Sequence, residues 1–388
     1  MNARFRSLLS FFLCLPSLAW SQTPPADPSP PKTALFSTHP SAKSDGTKWR
    51  LGYYESGDYE DYPRILREIV GGLGKLGWLD SSEIPSGLSG KETWEFLARN
   101  ARSESLEFVS DAYWKPGNFD AAQRPAVMEQ VKARLSRRDD IDLIIAMGTW
   151  AGQDMAALGT PVPTVVASTS DAVGARIVSS AVDSGQDNLH ARVQPERYQR
   201  QLRLFHETVG FKTLGVVYED SPAGRTYAAV DAVAQVAQEK GFSVKKCDTG
   251  SSGADVRDAT RSALRCYEEL KTKVDAMYVT VHRGLTPHAV EELAASLRHA
   301  KIPSFAMLGA QEVRAGLLMS LTQADYSYVG RFHAETIARI FNGARPRQLT
   351  QIWVDPAKIA LNLGTARQIG FDPSLDMLLA ADEIYETR

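Results

Sequence analysis

Four short segments carry the side chains best suited to hold a ligand. Tyr54-Glu55-Ser56, Gly148-Thr149-Trp150, Ser168-Thr169-Ser170-Asp171 and Tyr218-Glu219-Asp220-Ser221 each gather hydroxyl, carboxylate or aromatic groups within a few residues. Gly148-Thr149 opens a helical pattern, so its amides and hydroxyl suit a carboxylate or another anion. Tyr54, Trp114 and Trp150 offer flat faces for stacking. A further segment, Val281 to His288 (VHRGLTPH), sets His282 and Arg283 just past a strand pattern. His282 and His288 lack the additional ligands that a metal requires, so Arg283 and His282 are read as ligand contacts rather than a metal site. For any one of these residues, capping by Ser or Thr and core packing by an aromatic is the commoner role. Their shared position at strand C-terminal ends favours a common site. The candidate set is Tyr54, Glu55, Ser56, Thr149, Trp150, Ser170, Asp171, Ser221, His282 and Arg283.

Catalytic signatures are missing. The chain has no G-x-S-x-G, no H-E-x-x-H and no P-loop, and its 7 histidines form no nucleophile–base motif. No enzyme activity and no cofactor are expected. Gly72 to Gly77 does match G-x-G-x-x-G, but it follows a helical pattern instead of preceding one. A dinucleotide site needs a helix N-terminus at the phosphates, so these glycines are read as a helix C-terminal turn. Cys247 ends a strand pattern and Cys266 lies in the helix pattern after it. In an oxidising compartment they could pair, and two unpaired buried thiols are the alternative.

The elements that must position these groups alternate. Strand patterns at 50–56, 106–110, 141–148 and 163–168 are interleaved with helical ones at 62–76, 126–135 and 151–158. The run IDLIIAMG has no polar alternation, as expected of a parallel strand buried on both faces. The same grammar repeats from Pro195 to Met307, with strands at 213–219, 242–247, 274–281 and 302–307. Strand 317–321, helix 326–342, strand 351–355 and helix 357–369 close the chain. The expected fold is α/β, with two doubly wound Rossmann-like lobes joined by a three-strand hinge and a ligand between them. Lobe 1 is expected to hold 49–165 plus 322–348 and lobe 2 to hold 169–316 plus 355–388, with crossings near 166–170, 317–321 and 351–354.

Composition narrows the partners. The 388 residues carry 44 Lys and Arg against 46 Asp and Glu, a formal charge of −2. That balance argues against a nucleic-acid binder or a polybasic membrane-surface protein. Residues 1–21 have Arg4 and Arg6, an apolar run over Leu8–Leu15 and a small-x-small site ending at Ser21. They read as a cleaved export signal, too short for the ~20 apolar residues of a spanning helix. Cys14 follows Phe12-Leu13, a poor match to a lipid-anchor signal. Residues 22–48 contain 6 prolines and read as a spacer.

Several phrases resemble one family, the ABC-transporter substrate-binding proteins of the type I periplasmic fold, in the branch that includes tryptophan- and tyrosine-type binding proteins. They are IDLIIAMGTWAGQDM, PVPTVVASTSDAVGARIVSS, LGVVYEDSPAGRTYAAV, VDAMYVTVHRG, KIPSFAM with AGLLMSL, and IALNLGTARQIGFDPSLDMLLAADEIYE. The likeness runs over roughly 49–385. It departs at Thr149-Trp150, Asp171-Ala172, Gly224-Arg225 and Asn188 to Ala191, where the family usually has Thr-Pro, Asp-Pro, Asn-Ser and Asn-Val-Thr-Gly. The resemblance implies a periplasmic, monomeric solute-binding protein that takes a small ligand, for example an aromatic or amino-acid-like one, and serves an ABC permease in the inner membrane. A sensory binding protein that docks on a receptor or histidine kinase is the alternative.

Overall fold

The structure, a computed structural model, describes residues 36–80, 83–249, 255–323, 326–354 and 357–386. The expected export signal over 1–21, Cys14 and the first part of the spacer, 22–35, lie outside the described residues. The rest of the expected spacer is not a free tether. Residues 36–48 lie along the first lobe, where Trp78 Nε1 donates to the Thr38 carbonyl at 2.8 Å and Trp49 Nε1 to that of Ser41 at 2.9 Å. Lys43 pairs with Asp142 at 2.9 Å, and Phe36 packs on the core. The two indoles supply anchors that a count of prolines does not show.

The first lobe begins with β1 (Trp49–Glu55), α1 (Asp61–Lys75), α2 (Gly90–Asn100) and β2 (Leu106–Trp114). It continues with α3 (Arg124–Arg137), β3 (Leu143–Met147), α4 (Thr149–Leu158), β4 (Thr164–Ala167) and β5 (Leu189–Ala191). These strands form a five-stranded parallel sheet in the order β2-β1-β3-β4-β5. All of β3 and β4 is buried, as their unbroken apolar runs require.

The second lobe contains α5 (Arg197–Val209), β6 (Thr213–Tyr218), α6 (Pro222–Tyr227), α7 (Val230–Lys240), β7 (Ser243–Asp248), α8 (Val256–Leu270), β8 (Ala276–Val279), α9 (Pro287–His299), β9 (Ser304–Ala306), α10 (Ala310–Arg314) and β10 (Met319–Gln323). Next in the chain is α11 (Tyr326–Phe341), which packs on α1 in the first lobe. Then β11 (Ala357–Asn362), α12 (Leu363–Ile369), α13 (Leu375–Ala380) and β12 (Glu383–Tyr385) rejoin the second lobe. Its sheet runs β12-β11-β10-β9-β8-β6-β7, parallel except for the antiparallel pair β10–β11.

Glycines set the α1–α11 contact. A Cβ at Gly72 would lie 2.7 Å from the Ala334 Cβ, and one at Gly330 would lie 2.4 Å from the Glu68 backbone. The end of α1 turns as the glycine run predicts, with Leu76 N donating to the Gly72 carbonyl at 3.1 Å and Gly77 at φ 83°. No helix among the described residues is long and apolar enough to cross a membrane.

Two expected crossings shift. β5 belongs to the first sheet, so the chain leaves that lobe over 192–196 rather than 166–170. The 168–188 stretch is turn-rich, and its strand is only 3 residues long, too short for a periodic signal. All of β10 lies in the second sheet, which moves the next crossing from 317–321 to beyond Gln323. The third passes through the expected 351–354, but there the strand QIWVD is a single bridge, Ile352 with Val193. Residues 357–362 are the strand β11, not the start of a helix. The helix begins only after Asn362, whose Oδ1 accepts from Thr365 N at 3.0 Å.

Candidate functional site

The start of α4 is the best-defined part of the site. Gly148 adopts φ 94°, and a Cβ there would lie 2.0 Å from the Tyr62 hydroxyl and 2.5 Å from Ser56 Oγ. Only glycine lets both hydroxyls crowd onto this turn. Ser56 Oγ donates to the Met147 carbonyl at 3.0 Å and accepts from Ala151 N at 3.0 Å, so it caps the helix. The first intrahelical bond is Gly152 N to the Gly148 carbonyl, which leaves the Thr149 and Trp150 amides at the open, positive end of α4. Thr149 Oγ1 lies 3.4 Å from Thr169 Oγ1. Ser56, Thr149 and Trp150 are thus brought together with Thr169, which belongs to one of the four candidate segments, and with Tyr62, which the sequence reading missed.

Tyr54 and Glu55 turn the other way. Tyr54 is fully buried and its hydroxyl donates to Asp154, so it offers no face for stacking. Asp154 also accepts from Arg124 Nε at 2.7 Å, and the Arg124 guanidinium lies 5.1 Å from the centre of the Trp150 ring. Tyr54 therefore positions α4 and Trp150. Glu55 accepts from Tyr53 Oη at 3.0 Å and from Tyr113 Oη, beneath Gly90, where a Cβ would lie 1.9 Å from its Oε2. Burial, against the pull of these two hydroxyls, pushes its carboxyl above the usual carboxylate range. Trp114 is likewise buried, against Gly52.

Ser170 and Asp171 line a cavity of about 400 Å³ that also takes in Arg192 and Arg197 near the crossing and Arg225 with Thr226 from α6. The Ser170 carbonyl accepts from Tyr198 Oη at 3.2 Å. Asp171 Oδ1 accepts from Val173 N at 3.0 Å and Gly174 N at 2.8 Å, so its near oxygen shapes the turn.

In the second lobe Ser221 caps α6, accepting from Gly224 N at 2.9 Å. Burial pushes the Tyr227 hydroxyl above the usual phenol range, with the Glu219 charge adding to the shift and the Ser221 hydrogen bond and Arg283 opposing it. These four groups share one region. Tyr62 is raised chiefly by burial as well, with the Tyr227 hydroxyl among the smaller causes. Neither aromatic stood out in the sequence, because each falls inside a helical pattern. The signal was their place within the first turns after a strand.

His282 serves as an anchor. Gly284 N donates to its Nδ1 at 2.8 Å, so the ring proton sits on Nε2, 2.5 Å from Thr249 Oγ1. Burial, reinforced by the Arg283 charge, pushes it down to about 4. Thr249 N donates to the Tyr218 carbonyl at 3.0 Å, and Ser262 Oγ to the Thr249 carbonyl at 2.9 Å. Just beside Thr249, Cys247 is bonded to Cys266 with the Cα atoms 5.6 Å apart, tying β7 to α8. The bridge thereby secures the strand end that holds His282. Among the described residues no cluster of His, Cys, Asp or Glu could hold a metal ion.

Comparison with known proteins fits this architecture. The family model described as "ABC transporter substrate binding protein" matches residues 118–385. No curated protein matches the chain. Among solved structures, an ABC domain in complex with L-Trp from Streptococcus pneumonia is 18% identical, with a TM-score of 0.65 over 87% of this chain and 100% of that one. A conserved domain protein from Vibrio cholerae is 18% identical, with a TM-score of 0.63 and the same coverage, 87% and 100%. The ligand-free, open structure of CD0873, a substrate binding protein with adhesive properties from Clostridium difficile, is 17% identical, with a TM-score of 0.56 over 88% of this chain and 100% of that one. At such identities the structures establish the fold, two lobes of the type I periplasmic binding kind, while the family rests on the sequence match. The chain belongs to the ABC transporter substrate-binding protein family.

Proposed function

We propose that the protein is exported and captures a small ligand between its two lobes for delivery to an ABC importer in the membrane. The ligand carries an anionic group and a flat or apolar part. The anion lies at Thr149 and the open amides of α4, with Ser170 and Arg283 as further contacts. The observation that carries this reading is the open N-terminus of α4, with Thr149 at its start and the Gly148 turn packed against Tyr62 and Ser56. Closure of the two lobes around the ligand adds contacts from the second lobe. The L-Trp held by the Streptococcus neighbour has this chemistry, a carboxylate joined to a flat ring. A helix N-terminus supplies up to ~2 kcal/mol for a partly buried anion. Micromolar affinity needs ~8 kcal/mol, so apolar contact and exclusion of water by closure must supply the larger part.

Calorimetry with L-tryptophan and a panel of other amino acids tests the site. Loss of one neutral hydroxyl in Thr149→Ala removes ~1 kcal/mol, about a fivefold weakening. Equal affinity of the variant and the wild type for the best ligand would remove Thr149 from the site.

A further inference from the structure

One aromatic at the edge of the first-lobe core is held by more than apolar packing. The loop over 115–123 joins β2 to α3, and Phe119 at its centre adopts φ 54°. A bulky side chain in this left-handed region is uncommon and persists only where its surroundings enforce it. Two tethers do so. Lys115 Nζ meets Asp58 Oδ1 at 2.6 Å, and Asp58 N donates to Asn118 Oδ1 at 3.0 Å. Both end at residue 58, next to the Ser56-Gly57 turn. Gly57 is part of the same device, because a Cβ there would lie 2.5 Å from the Phe119 ring.

The enforced position puts the ring beside α4. Its centroid is 5.8 Å from that of Trp150 and 6.5 Å from that of Tyr62. Tyr59 extends the row at 5.2 Å from Tyr62, and the Arg124 guanidinium closes the far side of Trp150. Phe119 remains only partly buried, while Tyr62 and Trp150 are buried on either side of it. The start of α4, with its open amides, thus adjoins an apolar aromatic wall in which Phe119 is the partly exposed ring next to Trp150.

We propose that Phe119 is a specificity-determining residue that contacts the ligand. Its ring takes the flat part of a molecule whose anionic group lies at the start of α4. This assignment rests on the ligand class given in the preceding subsection. A planar ring can stack on Phe119 or meet it edge-on, whereas an aliphatic side chain gains only apolar contact. The wall therefore favours aromatic over aliphatic ligands that share the same anionic end.

Calorimetry on the mature chain with L-tryptophan, L-tyrosine and L-phenylalanine as probes, and L-leucine as the aliphatic control, tests this. Phe119→Leu keeps an apolar side chain. Phe119→Asn tolerates the left-handed backbone, and circular dichroism melts verify that the loop exchange leaves the fold intact. In both variants the best aromatic probe should bind about 10-fold more weakly, ~1.4 kcal/mol, and in Phe119→Leu, which keeps the apolar contact, the L-leucine affinity should change by less than about twofold. Aromatic affinities within about twofold of wild type in both variants would overturn the role of Phe119 while leaving the ligand class in place. A wild-type chain that binds none of the three aromatic probes would overturn the ligand class and the wall together.

Discussion

Val193 and Ile352 pair side by side in a parallel bridge where two crossings run between the lobes. Val193 N donates to the Gln351 carbonyl at 2.7 Å, and Trp353 N to the Val193 carbonyl at 3.1 Å. Gln351 is buried, and its side-chain amide also donates to the Ser180 carbonyl at 3.0 Å. The two segments are joined by a hydrogen-bonded bridge and are not a loose connection.

Breaking that pair should destabilise the whole chain. Val193→Pro removes the donor and leaves the Gln351 carbonyl unpaired, at a cost of about 1–3 kcal/mol. Urea unfolding should show the midpoint falling accordingly. An unchanged midpoint would mean that the bridge does not hold the hinge.

The Cys247–Cys266 bond closes a loop with a sequence separation of 19. Chain-entropy arguments give a loop of this size ~3 kcal/mol of stabilisation. Cys247→Ser, or added reductant, should lower the stability of the second lobe by about that amount. It should also loosen the Thr249–His282 contact. Thiol titration of denatured mature protein without reductant should find no free thiol from this pair, and two titratable thiols would contradict the bridge.

Acid should weaken the fold through its buried histidines, His190, His282 and His333, all held below the ordinary range chiefly by burial. Burial holds His190 and His282 down to about 4, below the ordinary 6.5. His190 Nε2 lies 2.9 Å from the Thr350 carbonyl, so its proton position is set by the crossing segment. Because the folded state binds protons less readily than the unfolded chain, the stability is complete above pH 6.5 and declines as pH falls toward 4. Each group contributes up to about 3 kcal/mol across that window. Urea midpoints measured at pH 7 and pH 5 should drop on acidification, and His190→Gln should shrink the drop. Because burial also raises Glu312 to about 7, which favours the folded state on acidification, the decisive comparison is between variants: a drop in His190→Gln equal to that of the wild type would contradict the neutral, buried state of His190.

The alternating pattern was legible because fully buried parallel strands such as LIIAM leave an unbroken apolar run. What escaped was short or locally masked. β5 spans 3 residues, and β11 runs straight into α12, so a single helical pattern covered both. The direction of side chains was equally hidden. Adjacent residues of a strand face opposite sides, and Tyr54 and Glu55 turn into separate buried networks while Ser56, just past the strand, caps α4. Strand ends pointed to the Gly148 turn, and only the folded loops show Tyr62 and Phe119 packed beside it and its helix.

The most direct measurement is mass spectrometry of the small molecule released when natively purified mature protein is denatured. The expected result is one predominant compound with an anionic group and a flat or apolar part, absent from protein prepared by unfolding and refolding. A predominant sugar without an anionic group, or a polyamine, would contradict the anion site at the start of α4 and the aromatic wall beside it.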